Sequence, residues 1–274
     1  MTAKPVLKWA GGKTRLLTEI LDRLPAKIDT YYEPFVGGGA VFFALAGQGR
    51  FRRAVLADQN PDLIEVYRAL QKEGEEVIRA LREYKDYNDE QSYYQIRAQA
   101  PRGRARRAAR FIYLNKTGYN GLYRVNRSGS FNVPFGRYKN PKILDEPALR
   151  AASAALEGAR LRCADFEHVV CNAAPGDAVY FDPPYLPLSK TANFTAFGRQ
   201  PFELPAHKRL ARVFTESAGR GVHTLLSNSS TDVARGLYAG HTIDTVQGRR
   251  SISCKGHSRG PVDEILVTGG QDVT

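Results

Sequence analysis

Two different periods of apolar residues divide the chain. From Thr30 to Val36 two tyrosines and Phe35 interleave with polar residues, which predicts a short strand running directly into Gly37, Gly38 and Gly39. The apolar block Ala40 to Ala46 then predicts a helix packed close to that strand, and Ala54 to Ala57 is a second short apolar run ending at Asp58. Together they begin an alternating β/α pattern in which a glycine turn is followed by an acid about 20 residues later.

The period changes at Pro61. Leu63, Ile64, Val66, Tyr67 and Leu70 recur at helical spacing, as do Val77, Ile78 and Leu81. Arg104 to Tyr113 predicts a further helix, entered from a loop marked by Pro101 and Gly103. Gly118, Gly121, Gly129, Pro134, Gly136 and Pro141 then interrupt a Tyr-, Asn- and Arg-rich segment too often for a continuous element. Residues 61–150 are therefore expected to form a mainly helical insertion ending in a loop or hairpin, set into an α/β domain of residues 1–60 and 151–274. The β/α pattern returns near Leu161, at Ala178 to Phe181 and at Val222 to Leu226. Two of these candidate parallel strands end in polar sequence, Asp182-Pro183-Pro184-Tyr185 and Ser227-Asn228-Ser229-Ser230. Ligands in open α/β sheets collect beyond the carboxyl ends of strands, which makes those junctions the candidate sites of chemistry.

Composition sharpens this picture. The 274 residues, 42% of them hydrophobic, can supply a substantial core, and no apolar run approaches the length of a membrane span. The amino-terminal MTAKPVLKWAGGK has no apolar leader, so an intracellular, cytoplasmic protein is expected. Cys163, Cys171 and Cys254 are too scattered for a disulfide framework or a zinc site; they are expected as buried thiols, and no metal is expected. Lys and Arg outnumber Asp and Glu by 40 to 28, a formal charge of +12 that favours a polyanionic partner. Between Arg97 and Arg150 stand 13 Lys/Arg residues and two acids, Asp145 and Glu146, a net of +11. That segment suits a nucleic-acid platform; an arginine-rich solvated helix face with a basic loop would carry the same composition.

Several short motifs bear chemistry. Glu33-Pro34-Phe35-Val36-Gly37-Gly38-Gly39 combines a strand end with glycines that let a ligand approach the backbone, and Asp58 can accept from ribose hydroxyls. A tight structural turn followed by a surface aspartate would use the same residues, and the run is not the GxGxxG fingerprint of a dinucleotide site. Trp9-Ala10-Gly11-Gly12-Lys13-Thr14 contains GlyLysThr, but Leu7 stands where a phosphate-binding loop needs its first glycine. Lys13 can instead meet a ligand carboxylate, with Trp9 covering a flat or apolar group. In Asp182-Pro183-Pro184-Tyr185 the prolines fix the local path. The Asp182 carboxylate and a nearby backbone carbonyl could then hold an exocyclic amine while Tyr185 stacks on its ring.

In combination and in order, Lys8-Trp9-Ala10-Gly11-Gly12-Lys13, Glu33 to Gly39, Asp165-Phe166 and Asp182 to Tyr185 resemble the Dam-type family of DNA adenine methyltransferases. The resemblance extends from about residue 6 to residue 267. Between those blocks, Asn115 to Arg124 and Phe131 to Tyr138 are similar to its DNA-reading segment. The resemblance implies a Rossmann-like fold that binds S-adenosylmethionine, with contacts from Trp9, Ala10, Gly11, Gly12, Lys13, Phe35, Gly37, Gly38, Gly39, Asp58, Asp165, Phe166 and Asp182. It implies that Asp182, Pro183, Pro184 and Tyr185 hold an adenine turned out of double-stranded DNA while N6 attacks the sulfonium methyl directly. It further implies a GATC target, with Arg124 on guanine, Leu122 and Pro134 against a thymine methyl, and Lys8, Asn115, Tyr119, Asn120, Arg137 and Tyr138 as further DNA contacts. Tyr123 stands where that family varies and carries less information. A nucleoid-associated enzyme encoded by a bacterium or phage is expected, with no obligatory protein partner. The competing readings are an RNA or protein-amide methyltransferase, against which Asp182 stands where glutamine-modifying relatives carry Asn, and a DNA-binding protein that has lost transfer.

Overall fold

The computed structural model describes residues 3–187, 202–249 and 261–270. In chain order its elements are α1 (Leu17–Asp22), β1 (Ile28–Glu33), α2 (Ala40–Gly47), β2 (Phe51–Asp58), α3 (Pro61–Arg82), α4 (Glu90–Ala98), α5 (Arg104–Thr117), α6 (Glu146–Leu156), β3 (Arg160–Cys163), α7 (Phe166–Val170), β4 (Ala178–Phe181), α8 (Leu204–Gly219), β5 (His223–Ser229), α9 (Asp232–Leu237), β6 (Thr242–Arg249) and β7 (Pro261–Gly269). They fall into two compact units: Met1–Gly12 with Gly37–Gly47 and Asn60–Glu157, and Lys13–Val36 with Gln48–Gln59 and Gly158–Thr274. Among the described residues the first contains α2 to α6 and the second the seven strands.

In the strand unit one sheet runs in the order β3-β2-β1-β4-β5-β7-β6. The first five strands are mutually parallel, and β7 is antiparallel to both β5 and β6. Chain order proceeds one way from β1 to β3 and the other way from β4 to β5, so β1 and β4 flank a topological switch point. That doubly wound arrangement is a Rossmann-like α/β fold, and it directs binding chemistry to the carboxyl ends of β1 and β4. β4 is buried at every position because parallel strands are covered on both faces. Its Val179 and Phe181 pack with Phe166, Leu210, Phe214, Leu226 and Val267 in a continuous core.

The first strand stops at Glu33 rather than Val36: Pro34 has no N–H to extend the ladder, and the Val36 N–H turns to the Ala57 carbonyl at 2.8 Å. Neither β6 nor β7 is anticipated by the apolar pattern. The expectation of buried thiols is also corrected, since Cys163 and Cys171 are exposed. Cys163 ends β3, a strand at the sheet edge with no fully buried position, and Cys171 caps α7. Cys254 lies outside the described residues.

In the helical unit Asn60 caps α3 by accepting from the N–H groups of Asp62 and Leu63 at 3.0 and 3.2 Å, and Pro61 occupies the first turn. The two periodic stretches after Pro61 join in one helix kinked at Glu73, where φ is −137°. The Ser153 hydroxyl donates to the Leu70 carbonyl at 2.6 Å, the acceptor that a regular helix would pair with the Gly74 N–H. The glycine-rich stretch after α5 forms a small hairpin. Val125 bridges Phe131, the Asn132 N–H donates to the Arg124 carbonyl at 3.0 Å, and Asn126 Oδ1 accepts from the N–H groups of Ser128 and Ser130.

Candidate active site and nucleic-acid interface

Beyond the end of β4, a parallel register that pairs Phe181 with Leu226 brings Asp182 beside Ser227. The Ser227 hydroxyl donates to Asp182 Oδ1 at 2.9 Å, and Ser227 Oγ lies 2.9 Å from the Tyr180 hydroxyl. Lys13 Nζ reaches the same Asp182 oxygen at 2.7 Å although its side chain is only 7% exposed. The same ammonium lies 4.7 Å from the centre of the Tyr185 ring, and the Tyr185 hydroxyl donates to Glu264 on β7 at 2.7 Å. On β1 the buried Tyr31 donates to the buried Glu33 at 2.9 Å.

Burial raises the Asp182 carboxyl above its ordinary range, opposed by the Lys13 charge and the Ser227 hydrogen bond. Burial, reinforced by neighbouring carboxylates, holds Tyr31, Tyr180 and Tyr185 well above the usual phenol range. These three tyrosines are therefore neutral hydroxyls that donate. The sequence reading gives Lys13 a ligand carboxylate; in the structure its ammonium lies on Asp182 of the Asp-Pro-Pro-Tyr motif. Ser227, Glu264, Tyr180 and Tyr31 were not read from the sequence as site residues. The polar run Ser227 to Ser230 at a strand end was the one available signal.

The neighbouring strand ends carry a second set. Asp58 closes β2 in register with Cys163. Phe35 and Phe166 lie with ring centres 5.6 Å apart, and Phe202 meets Phe35 edge-on at 5.6 Å. Asp165 caps α7 by accepting from the Glu167 N–H at 3.1 Å. Its two oxygens also accept from Arg209 at 3.0 and 2.7 Å and from Gln59 at 3.2 Å. Arg209 in turn lies 4.5 Å from the centre of the Phe166 ring. An acceptor at a strand end, the partly exposed Phe35 ring and nearby carboxylates match the ribose hydroxyls, adenine and positive charge of S-adenosylmethionine, so the residues fit that group.

In the helical unit the expected glycine turn is built against Trp9. Gly37 and Gly39 have φ of +45° and +70°, and a Cβ on Gly37 would stand 2.7 Å from Trp9 Cδ1. The Tyr67 hydroxyl donates to the Gly37 carbonyl at 2.6 Å. Trp9 stacks on Tyr123 at 6.3 Å and Tyr123 on Phe111 at 5.4 Å, while the Tyr123 hydroxyl donates to Asp62. Tyr123 is thus the middle ring of an aromatic row, a role that only packing reveals.

The segment of residues 115–138 in the same unit is braced from beneath. Asn115, 3% exposed, accepts from the Lys8 N–H at 2.8 Å and donates to the carbonyls of Lys8 and Gly121 at 2.7 and 3.1 Å. Lys8 Nζ stands 3.9 Å from the centre of the Tyr138 ring. Tyr119 is 44% exposed, its N–H bonded to the Pro134 carbonyl at 2.9 Å, and Leu122 and the exposed Pro134 lie close by in the chain and hairpin. Asn120 and Arg137 adopt positive φ, 54° and 53°, and Arg137 pairs with Glu90 at 3.1 Å. Arg124 on the hairpin is exposed, with Nε on Asn132 Oδ1 at 2.7 Å and Nη2 on the Asn132 carbonyl at 3.1 Å.

The arginine run divides by partner. Arg104 pairs with Glu73 and Glu65 at 3.3 and 3.6 Å. Arg110 is turned inward to the carbonyls of Ile96 and Arg97, and burial lowers its pKa. Arg102, Arg106 and Arg107 are exposed and have no ion pair among the described residues. Burial, with Lys8 as the next contribution, brings Lys116 down to about 8.

The D12 class N6 adenine-specific DNA methyltransferase family matches residues 9–252. The type II methyltransferase M.MjaIII of Methanocaldococcus jannaschii is 42% identical, over 97% of this chain and 99% of its own length. The type II methyltransferase M1.LlaDCHI of Lactococcus lactis subsp. cremoris is 40% identical, over 97% and 95%. The DNA adenine methylase of Escherichia coli K12 is 41% identical, over 95% and 93%. Among the described residues no helix is long and apolar enough to cross a membrane. S-adenosylmethionine is the methyl donor and DNA the substrate. The chain belongs to the D12 class of N6 adenine-specific DNA methyltransferases.

Proposed function

We propose that the enzyme methylates adenine N6 within GATC in double-stranded DNA, acting on an adenine turned out of the helix. The observation that carries this reading is Asp182 at the end of β4, one oxygen held by Lys13 and Ser227. S-adenosylmethionine supplies an electrophilic methyl on a sulfonium. Asp182 and the Pro183 carbonyl accept the two N6 hydrogens, which draws the nitrogen lone pair out of conjugation and toward that methyl. Pro184 stiffens the turn, and the Tyr185 ring stacks on the base, its hydroxyl anchored by Glu264. Positioning does more here than base strength.

Cofactor contacts belong to the same proposal: Lys13, Phe35, Asp58, Asp165, Phe166 and Asp182 in the strand unit, and Trp9, Ala10, Gly11, Gly12, Gly37, Gly38 and Gly39 in the helical unit. For DNA, Arg124 is assigned to guanine. With its Nε edge on Asn132, the guanidinium keeps Nη1 and a second Nη2 hydrogen for the paired acceptors O6 and N7. Leu122 and Pro134 are assigned to a thymine methyl; Lys8, Tyr119, Asn120, Arg137 and Tyr138 to further DNA contacts; and Asn115 to holding Lys8 in place. The test is incubation with methyl-labelled cofactor and defined duplexes. Label on adenine N6 confined to GATC supports the assignment; equal labelling of its single-base variants, or a preference for unpaired strands, defeats it.

A further inference from the structure

Resting on the assignment of Asp182 as acceptor for the adenine amine, we infer that Ser227, backed by Tyr180, is a positioning residue for methyl transfer: it commits one oxygen of Asp182 within the strand unit and so presents the other to the amine.

The direction of these hydrogen bonds follows from their donors. An ionised carboxylate only accepts, so the Ser227 hydroxyl spends its single hydrogen on Asp182 Oδ1 at 2.9 Å. The 2.9 Å contact between Tyr180 and Ser227 then requires the Tyr180 hydroxyl to donate to Ser227 Oγ. Both residues are 0% exposed, so water does not compete for either bond. Lys13 converges on the same oxygen, Oδ1, at 2.7 Å.

Carboxylate torsions are broad, and one charge partner alone leaves the group free to turn. Two donors from different parts of the chain, both on Oδ1, remove that freedom and turn Oδ2 outward. Lys13 contributes charge and Ser227 contributes direction. Ser227 is delivered to this point by the parallel register of β5 on β4, in which Leu226 pairs with Phe181. The charged and titratable groups around Asp182 are Lys13, Tyr180 on its own strand, Tyr185, Tyr31 and Glu33 from β1, and Glu264 from β7. Among the described groups Lys13 is the one that adds positive charge, so a hydroxyl donor also helps keep Asp182 ionised.

The test compares Ser227→Ala, Ser227→Thr, Tyr180→Phe and Asp182→Ala as intact, folded proteins. Titration of S-adenosylmethionine is paired with single-turnover transfer to an adenine-containing duplex across a range of pH. Ser227→Ala is expected to bind cofactor as wild type does but to transfer methyl roughly 10- to 100-fold more slowly, the loss of one hydrogen bond to a charged group. The acid limb of its pH–rate profile is expected to move to higher pH, because a donor that favours the ionised form is gone. Tyr180→Phe should move that limb the same way by less, and Ser227→Thr should restore most of the rate. Wild-type rate and profile in Ser227→Ala, with Asp182→Ala inactive, overturns the positioning role and leaves Asp182 in its own. A slow Ser227→Ala with an unmoved profile and no rescue by threonine also overturns it, since that is a packing defect. Wild-type transfer by Asp182→Ala overturns the underlying assignment instead.

Discussion

In the strand unit Asp182, Lys13, Ser227 and Tyr180 bond to one another where little water enters, whereas in the helical unit Arg124, Arg137 and the α5 residues Arg106 and Arg107 stand in solvent. The first set pairs at low dielectric, where water offers no ready replacement, so the loss of one member leaves its partners unsatisfied. The second set is screened by salt and exchanges partners with water cheaply. The proposed chemistry, which must be identical at every turnover, falls in the first setting. The proposed recognition, which must form and release on DNA, falls in the second. Asn132 and Asn115 bring to the exposed segment a little of the order that burial gives the other unit.

The largest effect that separates the two is expected from Asp182→Ala. Single-turnover transfer should fall by roughly 10²–10³-fold while titrated cofactor affinity and DNA association persist; near-wild-type transfer would merge the two regions into one recognition surface. The pH dependence belongs to the same contrast. Because Asp182 is raised by burial and must be ionised to accept, the wild-type rate should climb with pH through a window above the usual carboxylate range. A rate already flat across that window would show Asp182 ionised as in water.

Arg124→Ala should come next, losing roughly 10- to 100-fold in discrimination at the guanine of GATC, the value of one bidentate base pairing, and far less in general association. Equal rate ratios among single-base variants in mutant and wild type would return Arg124 to the phosphate-binding class. Within the arginine run, Arg102, Arg106 and Arg107 changed together to Gln should lower the slope of log affinity against log salt by roughly 0.9 for each phosphate no longer neutralised. Arg110→Gln is expected to act on melting temperature instead, since its guanidinium holds two carbonyls. Identical behaviour of the two sets in salt titrations and melting curves would erase the division by partner.

The smallest effect is expected at Lys116. Its pKa is lowered to about 8 in the folded chain, so between that pH and its unfolded value the unfolded state binds more protons and stability rises with pH. Lys116→Met should therefore raise the melting temperature at neutral pH by a few degrees, with the difference from wild type shrinking above pH about 8. A constant difference across that range would place the cost elsewhere than in the ammonium.

What could be read in advance follows the same line. The strand at Ala178–Phe181 and the motif after it were legible because a fully buried parallel strand is an unbroken apolar run and Pro-Pro marks its end. The glycine turn was legible as a turn, but that it closes on Trp9 was not, since Trp9 and Gly37 meet only in the folded helical unit. Ser227 and Glu264 escaped as partners of Asp182 and Tyr185 because strand register, a long-range property, brings them there. β6 and β7 carry polar residues such as Asp244, Thr245, Asp263 and Glu264 through their length, which hides an antiparallel pair from an apolar-run reading. In the basic segment charge could be counted from sequence, but which arginines were already committed to Glu73, Glu65 or backbone carbonyls could not.

The packing of Trp9 has a practical consequence. It is the chain's one tryptophan, stacked on Tyr123 and pressed against Gly37. Its fluorescence is therefore a native, label-free optical probe of a single address, the glycine turn. Emission colour there reports how much water reaches the indole, and quenching by added iodide or acrylamide reports access. With Trp9 at the cofactor as proposed, a stopped-flow trace of that signal would time the cofactor's arrival, with no dye attached to the enzyme.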